Sequence, residues 1–289
     1  MRIVSRAECG LNRWNEAVRS SPESWAWSTW EWQELILSVP RWQLRDASFA
    51  ILEGESVLAA VPLQATPDGR LLCSGWSLTA PSIVNGVQHD SCRDCAERIF
   101  EHLRAYGQEV DARSVEFALS PVSSTALRNP GKQSLYADFG VVEAVGYARV
   151  LDLKKDEDAL FAGLSRDTRQ QIKRARSCGL TASRVSWEDA LDDYYALHQE
   201  TYHRTGVIPH PREYFAGIAA YTARTGGNVL WVVRDASGAA VAFHNSARFG
   251  RGSMYHTGCS GALALKTGAN YLAFWEAIRG AKADGCEAY

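Results

Sequence analysis

The chain lacks any long hydrophobic run. Its longest largely apolar stretches, such as 57–63, are far shorter than the roughly 20 residues that a membrane-spanning helix needs. The first ten residues, MRIVSRAECG, also lack the apolar core of a secretory signal peptide. We therefore expect a cytoplasmic protein without a membrane span.

An excess of charge of one sign is missing too. The 289 residues include 31 Lys and Arg against 33 Asp and Glu, a net charge of -2, so no overall positive field attracts nucleic acid. Hydrophobic residues make up 46% and charged residues 22%, which is ordinary globular usage and excludes disordered and collagen-like chains. At roughly 150 residues per domain, this length predicts one large domain or two modest ones.

Paired cysteines and familiar catalytic motifs are also scarce. The seven cysteines, without a secretory signal, indicate reduced thiols. Cys92 and Cys95 form one CxxC, but the further ligands that zinc needs do not accompany it. The sequence has no Gly-x-Ser-x-Gly elbow, P-loop, His-Glu-x-x-His or dinucleotide fingerprint. We expect neither a metal site nor a bound cofactor.

Tryptophan, by contrast, is abundant. The chain has ten, six of them within the first 42 residues. An early aromatic cluster of this kind is more often core than a ligand platform. We interpret it as the core of the N-terminal half.

Two stretches of the chain share one plan. Short apolar strands separated by Gly/Asp turns occur at 49–73 and again at 229–257, and a helix is predicted after each. This pattern predicts an α+β fold of two tandem units, each a mainly antiparallel sheet flanked by helices. The predicted domains are 1–147 and 148–289.

Basic residues recur along the helix predicted for 164–179. Arg166, Arg169, Lys173 and Arg176 follow one another at steps of 3, 4 and 3, which places them on one helix face. Like charges at this spacing repel by a few tenths of a kcal/mol per pair. The stripe is therefore either a solvated face or a binding site for phosphates of a nucleotide-linked substrate or an RNA backbone.

The order of motifs in the second half resembles that of the Fem family. The resemblance begins with the strand ending in Leu-Asp-Leu153, the helix SRDTRQQIKRARSCGL and the helix ending TYHRTG. It continues through REYF, LWVVRDASGAAVAFHNSARF and the helix ending AKADGCEAY. In the first half, SPESWAWSTWEWQ and the strand-rich stretch resemble the family.

Fem proteins are non-ribosomal aminoacyl transferases built from two GNAT-like (N-acetyltransferase-like) domains. They join an amino acid from aminoacyl-tRNA to an amine on a peptidoglycan precursor or, in some antibiotic pathways, on a peptidyl intermediate. The resemblance therefore implies an aminoacyl-tRNA donor, an amine acceptor and peptide bond formation. Relatives usually continue their last strand into Asp-Phe-Gly-Gly and a basic tail, whereas this sequence ends at Tyr289, so a catalytic lysine from that tail cannot be assigned. No muramoyl-peptide signature appears either, so the peptidoglycan substrate does not carry over.

Candidates for proton transfer lie in the second strand-rich stretch. Aminoacyl transfer requires an amine held against the ester carbonyl, a proton acceptor and stabilisation of the oxyanion. Alternation along 242–248 places His244 and Ser246 on one face and Asn245 on the other. His256 on the partner strand faces one side or the other depending on register. We expect His256, or else His244, to accept the proton.

Two further groups of residues are expected to bind substrate. The basic group binds phosphates and consists of Arg166, Arg169, Lys173, Arg176 and Arg204. Arg169, Lys173 and Arg204 are expected to contact phosphates, and the other two to add to the field. By family analogy, Tyr202 and Tyr214 line the acceptor pocket.

Two other activities fit the same fold. Acyl-CoA-dependent GNAT enzymes bind pyrophosphate at a Gln/Arg-x-x-Gly-x-Gly/Ala loop that leads into a helix. Here 265–270 reads Leu-Lys-Thr-Gly-Ala-Asn, which differs at the first and last positions, although Lys266 remains a possible phosphate ligand. The other alternative is a non-catalytic binding protein with the same double fold.

Overall fold

The computed structural model describes residues 1–84, 89–129, 135–142, 144 and 146–289, without the side chains of residues 89 and 90. It divides into two compact units, Met1–Arg149 and Val150–Tyr289. No helix in the described ranges is both long enough and apolar enough to cross a membrane.

The described part of the first unit contains two small sheets. Its strands are β1 (Arg2–Ser5), β2 (Arg45–Asp46), β3 (Phe49–Glu53), β4 (Ser56–Val61), β5 (Gln64–Ala65), β6 (Arg70–Leu72), β7 (Ser82–Ile83) and β8 (Ser114–Glu116). Its helices are α1 (Arg6–Cys9), α2 (Leu11–Ser20), α3 (Trp30–Leu37), α4 (His89–Glu109) and α5 (Ser124–Arg128). Over the described residues, the strand orders are β1-β3-β4-β7 and β2-β5-β6-β8. All strand pairs are antiparallel except β6 with β8.

The tryptophan cluster lies in the interior of the first unit. Trp14, Trp25, Trp27 and Trp32 are buried. The Trp27 ring lies 6.2 Å from that of Trp25 and 6.0 Å from that of Trp32, measured between centroids. Edge-to-face and tilted contacts at these distances are typical of packed aromatic cores. The interpretation of the cluster as core is confirmed for these four rings, whereas Trp30 and Trp42 are only half-buried.

The second unit is built on one antiparallel sheet. Its strands are β9 (Thr181–Val185), β10 (Asn228–Arg234), β11 (Ala240–Phe249) and β12 (Gly252–Ser260), in the order β12-β11-β10-β9. Its helices are α6 (Glu157–Ala162), α7 (Arg166–Ser177), α8 (Trp187–Thr205), α9 (Arg212–Thr225), α10 (Ala262–Thr267) and α11 (Ala269–Ala283). The Ser165 side chain accepts a hydrogen bond from Thr168 N and caps α7.

Helices cover both faces of this sheet. Trp231 and Ala242 pack with Leu272 of α11, so we call this side the α11 face. Phe243 points the other way and contacts Tyr194 of α8, with ring centroids 5.4 Å apart. Helix α9 packs on the same side through β10, and we call this side the α9 face. Each residue of the sheet is thereby assigned to one of two separate environments.

A β-bulge in β12 determines which way the candidate histidines point. Asn245 pairs with Thr257, whereas Ser246 pairs with Tyr255, so His256 is the extra residue. His256 and Thr257 both contact Asn245 and therefore lie on the α9 face. Tyr255 lies with His244 on the α11 face, their rings 5.0 Å apart. Simple alternation along β12 does not produce this arrangement.

Candidate functional site

Polar side chains of the α9 face meet at the bulge. His256 Nε2 lies 3.0 Å from Tyr214 Oη, and His256 Nδ1 lies 3.3 Å from Asn245 Nδ2. Asn245 Nδ2 also donates to Thr257 Oγ1 over 3.2 Å, and Tyr194 Oη donates to the same oxygen over 2.9 Å. The bulge thus connects two sheet strands to helices α8 and α9 through hydrogen bonds.

Helical spacing explains why α8 contributes several rings to this site. Tyr194, His198 and Tyr202 are four residues apart, so they lie one above the other on one helix face. The helix ends at Gly206, whose positive φ of 74° is readily adopted only by glycine. The loop that follows brings His210 towards α8, and Pro211 occupies the N-cap position of α9. These turns position Tyr214 in the first helical turn of α9.

The rings form a continuous file from α8 to the bulge. Between ring centroids, His198 lies 4.1 Å from Tyr202, Tyr202 lies 5.8 Å from His210, and His210 lies 5.3 Å from Tyr214. His198 is 1% exposed, and its Nε2 accepts a hydrogen bond from the His210 backbone N–H over 3.1 Å. His198 therefore ties the α8–α9 loop to α8.

Burial favours the neutral form of His256 and His198 on this face. It lowers the pKa of His256 to about 3 and that of His198 to about 4, and in both cases the nearby His210 adds to the effect. An asparagine amide nitrogen only donates, so His256 Nδ1 is the acceptor towards Asn245. The neutral ring then carries its hydrogen on Nε2 and donates it to Tyr214 Oη.

This hydrogen-bond pattern bears on the predicted role of His256. Its Nδ1 lone pair is engaged by Asn245, so His256 accepts a proton only when that bond breaks. A pKa of about 3 also means that a proton gained there passes on readily. Proton acceptance by His256 stays a prediction, whereas its contact with Tyr214 is a feature of the fold.

His244 lies in a different environment. It is 1% exposed on the α11 face, with Nε2 2.5 Å from Tyr289 Oη and 3.1 Å from Ser246 Oγ. The Phe274 ring packs edge-on at 4.2 Å, and burial lowers the pKa of His244 to about 3. Because the sheet separates His244 from His256, the two predicted proton acceptors do not share one site.

A surface cavity adjoins the file of rings. Its volume is about 440 Å³, and it lies where α8 ends and the following loop begins. Its lining consists of Gln199, Tyr202, His203, Gly206, Val207, Ile208 and Pro209. Tyr202, predicted to line an acceptor pocket, borders this cavity and also contacts His198.

The four basic residues of the α7 stripe differ in whether they have partners within the fold. Arg169 donates to the carbonyl oxygens of Ala162, over 2.7 Å, and of Leu164. Arg176 pairs with Glu276 of α11 over 3.0 Å. Arg166 and Lys173 are exposed and make no ion pair with any described residue. Two of the four stripe residues are therefore available to an external anion without breaking a contact.

Arg204 and its neighbour Glu200 lie beside the end of β12. Arg204 Nη2 donates to Ser260 O over 3.1 Å, and Arg204 Nη1 lies 3.7 Å from Glu200 Oε1. That same carboxylate oxygen accepts a hydrogen bond from the Ala262 backbone N–H over 2.8 Å. The first amide of the helix that follows β12 is therefore already bonded to an internal anion.

The helix predicted after the second strand-rich stretch, at about 267–283, is interrupted at its start. Gly268, with φ of 79°, ends α10 and precedes α11. A Cβ on Gly268 would lie 2.5 Å from the carbonyl oxygen of Gln171 in α7, so only glycine fits this approach. Helix α7 thus covers the start of α11. This start lies within the segment 265–270, whose sequence differs from that of a pyrophosphate-binding loop at its first and last positions.

Sequence reasoning did not identify every residue of this site. His198 and His210 were not singled out, although the four-residue spacing of His198 from Tyr194 and Tyr202 is a signal for a shared helix face. Asn245 was assigned correctly to the face opposite His244. Across the described residues, no group of three or more His, Cys, Asp or Glu is arranged to hold a metal ion.

Comparisons with known proteins agree on the fold. Residues 163–289 match a family model described as an acetyltransferase (GNAT) domain. A structure described as the crystal structure of FemX aligns over 100% of this chain and 88% of its own, with a TM-score of 0.70 and 13% identity. The chain has a Fem-like GNAT fold. The predicted fold class, tandem GNAT-like α+β units with antiparallel sheets between helices, is confirmed.

Two further solved structures share the Fem-like GNAT fold. The C-terminal domain of a putative lysylphosphatidylglycerol synthetase from Agrobacterium fabrum aligns over 98% of this chain and 78% of its own, with a TM-score of 0.55 and 15% identity. A tandem GNAT protein from the clavulanic acid biosynthesis pathway aligns over 99% and 88%, with a TM-score of 0.50 and 13% identity. No curated protein sequence matches the chain.

Proposed function

We propose that this protein is an aminoacyltransferase that uses aminoacyl-tRNA as its donor. It forms an amide bond between the carried amino acid and an amine acceptor, such as a peptidyl antibiotic intermediate or a cell-wall precursor. The GNAT domain match and the transferases among its structural neighbours support acyl transfer in general. The preference for an aminoacyl-tRNA donor rests on the arrangement of the helices that follow β12.

The observation that carries this preference is the contact between Glu200 and Ala262 N. An acyl-CoA donor needs free amides at a helix start for its pyrophosphate, and here the first amide is bonded to a carboxylate. At the next helix start, the Gln171 carbonyl lies against Gly268. Both arrangements disfavour a pyrophosphate at these positions. They favour a donor whose phosphates bind elsewhere, at the exposed Arg166 and Lys173.

The reaction itself needs little covalent catalysis, because the tRNA ester is already activated. The amine nitrogen bonds to the carbonyl carbon, the ester C–O bond breaks, and the proton lost by the amine ends on the ribose oxygen. The acceptor enters beside Tyr202, and Tyr214 and His256 relay the proton. The bulge at His256 interrupts the β11–β12 ladder, which makes its backbone N–H groups candidates to bind the oxyanion. His244 has no part in this proposal.

The direct test supplies purified aminoacyl-tRNAs carrying labelled amino acids together with a pool of amine acceptors. Transfer of label that is abolished by ribonuclease supports the proposal. Transfer from acetyl-CoA alone would instead identify a CoA-dependent GNAT enzyme. Ligand binding without transfer from any donor would identify a non-catalytic relative of the same fold.

A second experiment tests the two exposed stripe residues. Arg166→Glu and Lys173→Glu should each raise the KM for aminoacyl-tRNA and reduce its dependence on salt, because each removes a phosphate contact. The matched control is Lys155→Glu, an exposed charge reversal in the same unit but outside the stripe. If the two variants behave like this control, Arg166 and Lys173 do not bind phosphates of the donor.

A further inference from the structure

Two buried asparagines of the C-terminal sheet carry polar atoms without partners. Asn228 is 3% exposed and Asn245 is 0% exposed. Among the described residues, nothing hydrogen-bonds to Asn228 Nδ2, Asn228 Oδ1 or Asn245 Oδ1. Buried polar groups are nearly always paired, because leaving one unpaired destabilises the fold. Three such atoms on two neighbouring strands indicate a site that binds something.

The strand register places both side chains on the same face. Asn228 of β10 pairs with Ala247 of β11, and Leu230 pairs with Asn245. Asn228 and Asn245 are therefore diagonal neighbours, with Cα atoms roughly 7 Å apart in a regular antiparallel sheet. Asn245 shares the α9 face with His256, so Asn228 lies on that face as well. The unpaired atoms adjoin the bulge of the candidate site.

The contacts of Asn245 determine the direction in which its unpaired oxygen points. Its Nδ2 is held by His256 Nδ1 and Thr257 Oγ1, both on β12. The oxygen occupies the other branch of the planar amide and so faces away from β12. In the strand order β12-β11-β10, that direction leads towards β10 and Asn228. Asn228 is the diagonal neighbour of Asn245 on that side of β11.

We propose that Asn228 and Asn245 bind the amine end of the acceptor. This inference rests on the proposed function and specifies its substrate as a primary amine with a hydrogen-bond acceptor beside it. The two Oδ1 atoms accept the amine N–H groups, and Asn228 Nδ2 donates to the adjacent carbonyl or hydroxyl oxygen. The contacts of these amides include no carboxylate, and burial disfavours an ammonium ion. The amine is therefore bound neutral, with its lone pair available for attack.

The test uses glycinamide, which has a primary amine next to a carbonyl, without any donor substrate. Glycinamide should raise the thermal midpoint of the wild-type protein in proportion to the logarithm of its concentration. N,N-dimethylglycinamide, which lacks amine N–H groups when neutral, should not. Asn228→Leu and Asn245→Leu should abolish the shift, whereas Gln170→Leu, an amide replaced on an exposed helical position, should preserve it.

Stability provides an independent readout. Because Asn228→Leu removes two unpaired buried atoms and keeps a similar volume, this variant should unfold at or above the wild-type temperature. An Asn228→Leu variant that unfolds well below it would show that this amide is already satisfied by bound water, which overturns the inference. Variants that retain the glycinamide shift, or a wild type without one, also overturn it. If a leucine variant does not fold, the alanine variant is measured in its place, and it should likewise show no glycinamide shift.

The transfer assay then separates this inference from the proposed function. Asn245→Leu should raise the acceptor KM at least tenfold and leave the KM for aminoacyl-tRNA unchanged. Normal transfer by both leucine variants refutes the amine site but leaves the proposed function intact. Amine binding that depends on the asparagines, without any transfer from aminoacyl-tRNA, refutes the proposed function but supports the amine site.

Discussion

Mild acid should destabilise the second unit through three histidines whose pKa values are lowered in the fold. Burial lowers the pKa of His198 to about 4 and the pKa values of His244 and His256 to about 3. In the unfolded chain each imidazole titrates near its ordinary value of about 6.5. Between these values the unfolded state binds protons that the folded state does not. Stability is therefore fully present above about pH 6.5 and falls as the pH falls towards the folded pKa values.

The size of the effect follows from the same values. A histidine that stays neutral in the fold and titrates at about 6.5 when unfolded lowers the free energy of unfolding by about 2 kcal/mol between pH 7 and pH 5. Three such residues together give at most about 6 kcal/mol, which is comparable to the whole stability of many domains. The contribution of His256 is expected to be the smallest, since this residue is half-buried and solvent screens part of the effect.

Urea unfolding at pH 7, 6 and 5 measures this loss, with hydrogen exchange of β11 amides used to isolate the second unit. His244→Gln and His198→Gln should each reduce the loss between pH 7 and pH 5 by about 2 kcal/mol, whatever they do to stability at pH 7. The control His203→Gln changes an exposed histidine at the end of α8 and should leave the slope unchanged.

The outcome that refutes this reasoning is specific. A wild-type slope corresponding to less than one proton taken up on unfolding near pH 5 would mean that the imidazoles are not kept neutral by burial. If His244→Gln kept the wild-type dependence of stability on pH, His244 alone would be shown not to contribute to the loss. A shallow wild-type slope would also remove the basis for treating His256 as neutral beside Tyr214.

Two further substitutions test local geometry. Gly268→Ala should lower the free energy of unfolding by about 1–3 kcal/mol, because it combines a positive φ with a clash against the Gln171 carbonyl. The control Gly238→Ala has a positive φ but open space around it, so it should lower the free energy of unfolding by less. Equal losses for the two variants in urea unfolding would contradict the clash. Tyr214→Phe removes the oxygen that contacts His256. It should lower kcat at least tenfold and lower the free energy of unfolding by only about 1 kcal/mol. An unchanged kcat and an unchanged pH profile would show that this hydroxyl takes no part in the reaction.

The sequence was sufficient to predict features that depend on local periodicity. The helical spacing of Arg166 to Arg176 is a property of a single helix, and the structure has α7 at Arg166–Ser177. Strand alternation likewise separated His244 from Asn245 correctly. These predictions succeeded because neighbouring residues alone determine which way each side chain points.

The rest depended on contacts between distant segments. Alternation cannot anticipate the extra residue at His256, because a bulge has no fixed sequence signature and reverses the facing of every position beyond it. The break at Gly268 reflects the approach of Gln171 from α7. The pairing of Arg176 with Glu276 joins residues a hundred positions apart. Each of these features is fixed by packing rather than by local pattern.

The internal contacts of the predicted basic residues allow the salt dependence of aminoacyl-tRNA binding to be predicted. If all five predicted basic residues contacted phosphates, the logarithm of affinity would fall with the logarithm of salt concentration at a slope of about -3.5 to -4.5. Arg169, Arg176 and Arg204 already have partners within the fold, so only two contacts are available without breaking others. We therefore expect a slope of about -1.4 to -1.8 for aminoacyl-tRNA binding. A steeper slope would mean that the donor breaks these internal contacts when it binds.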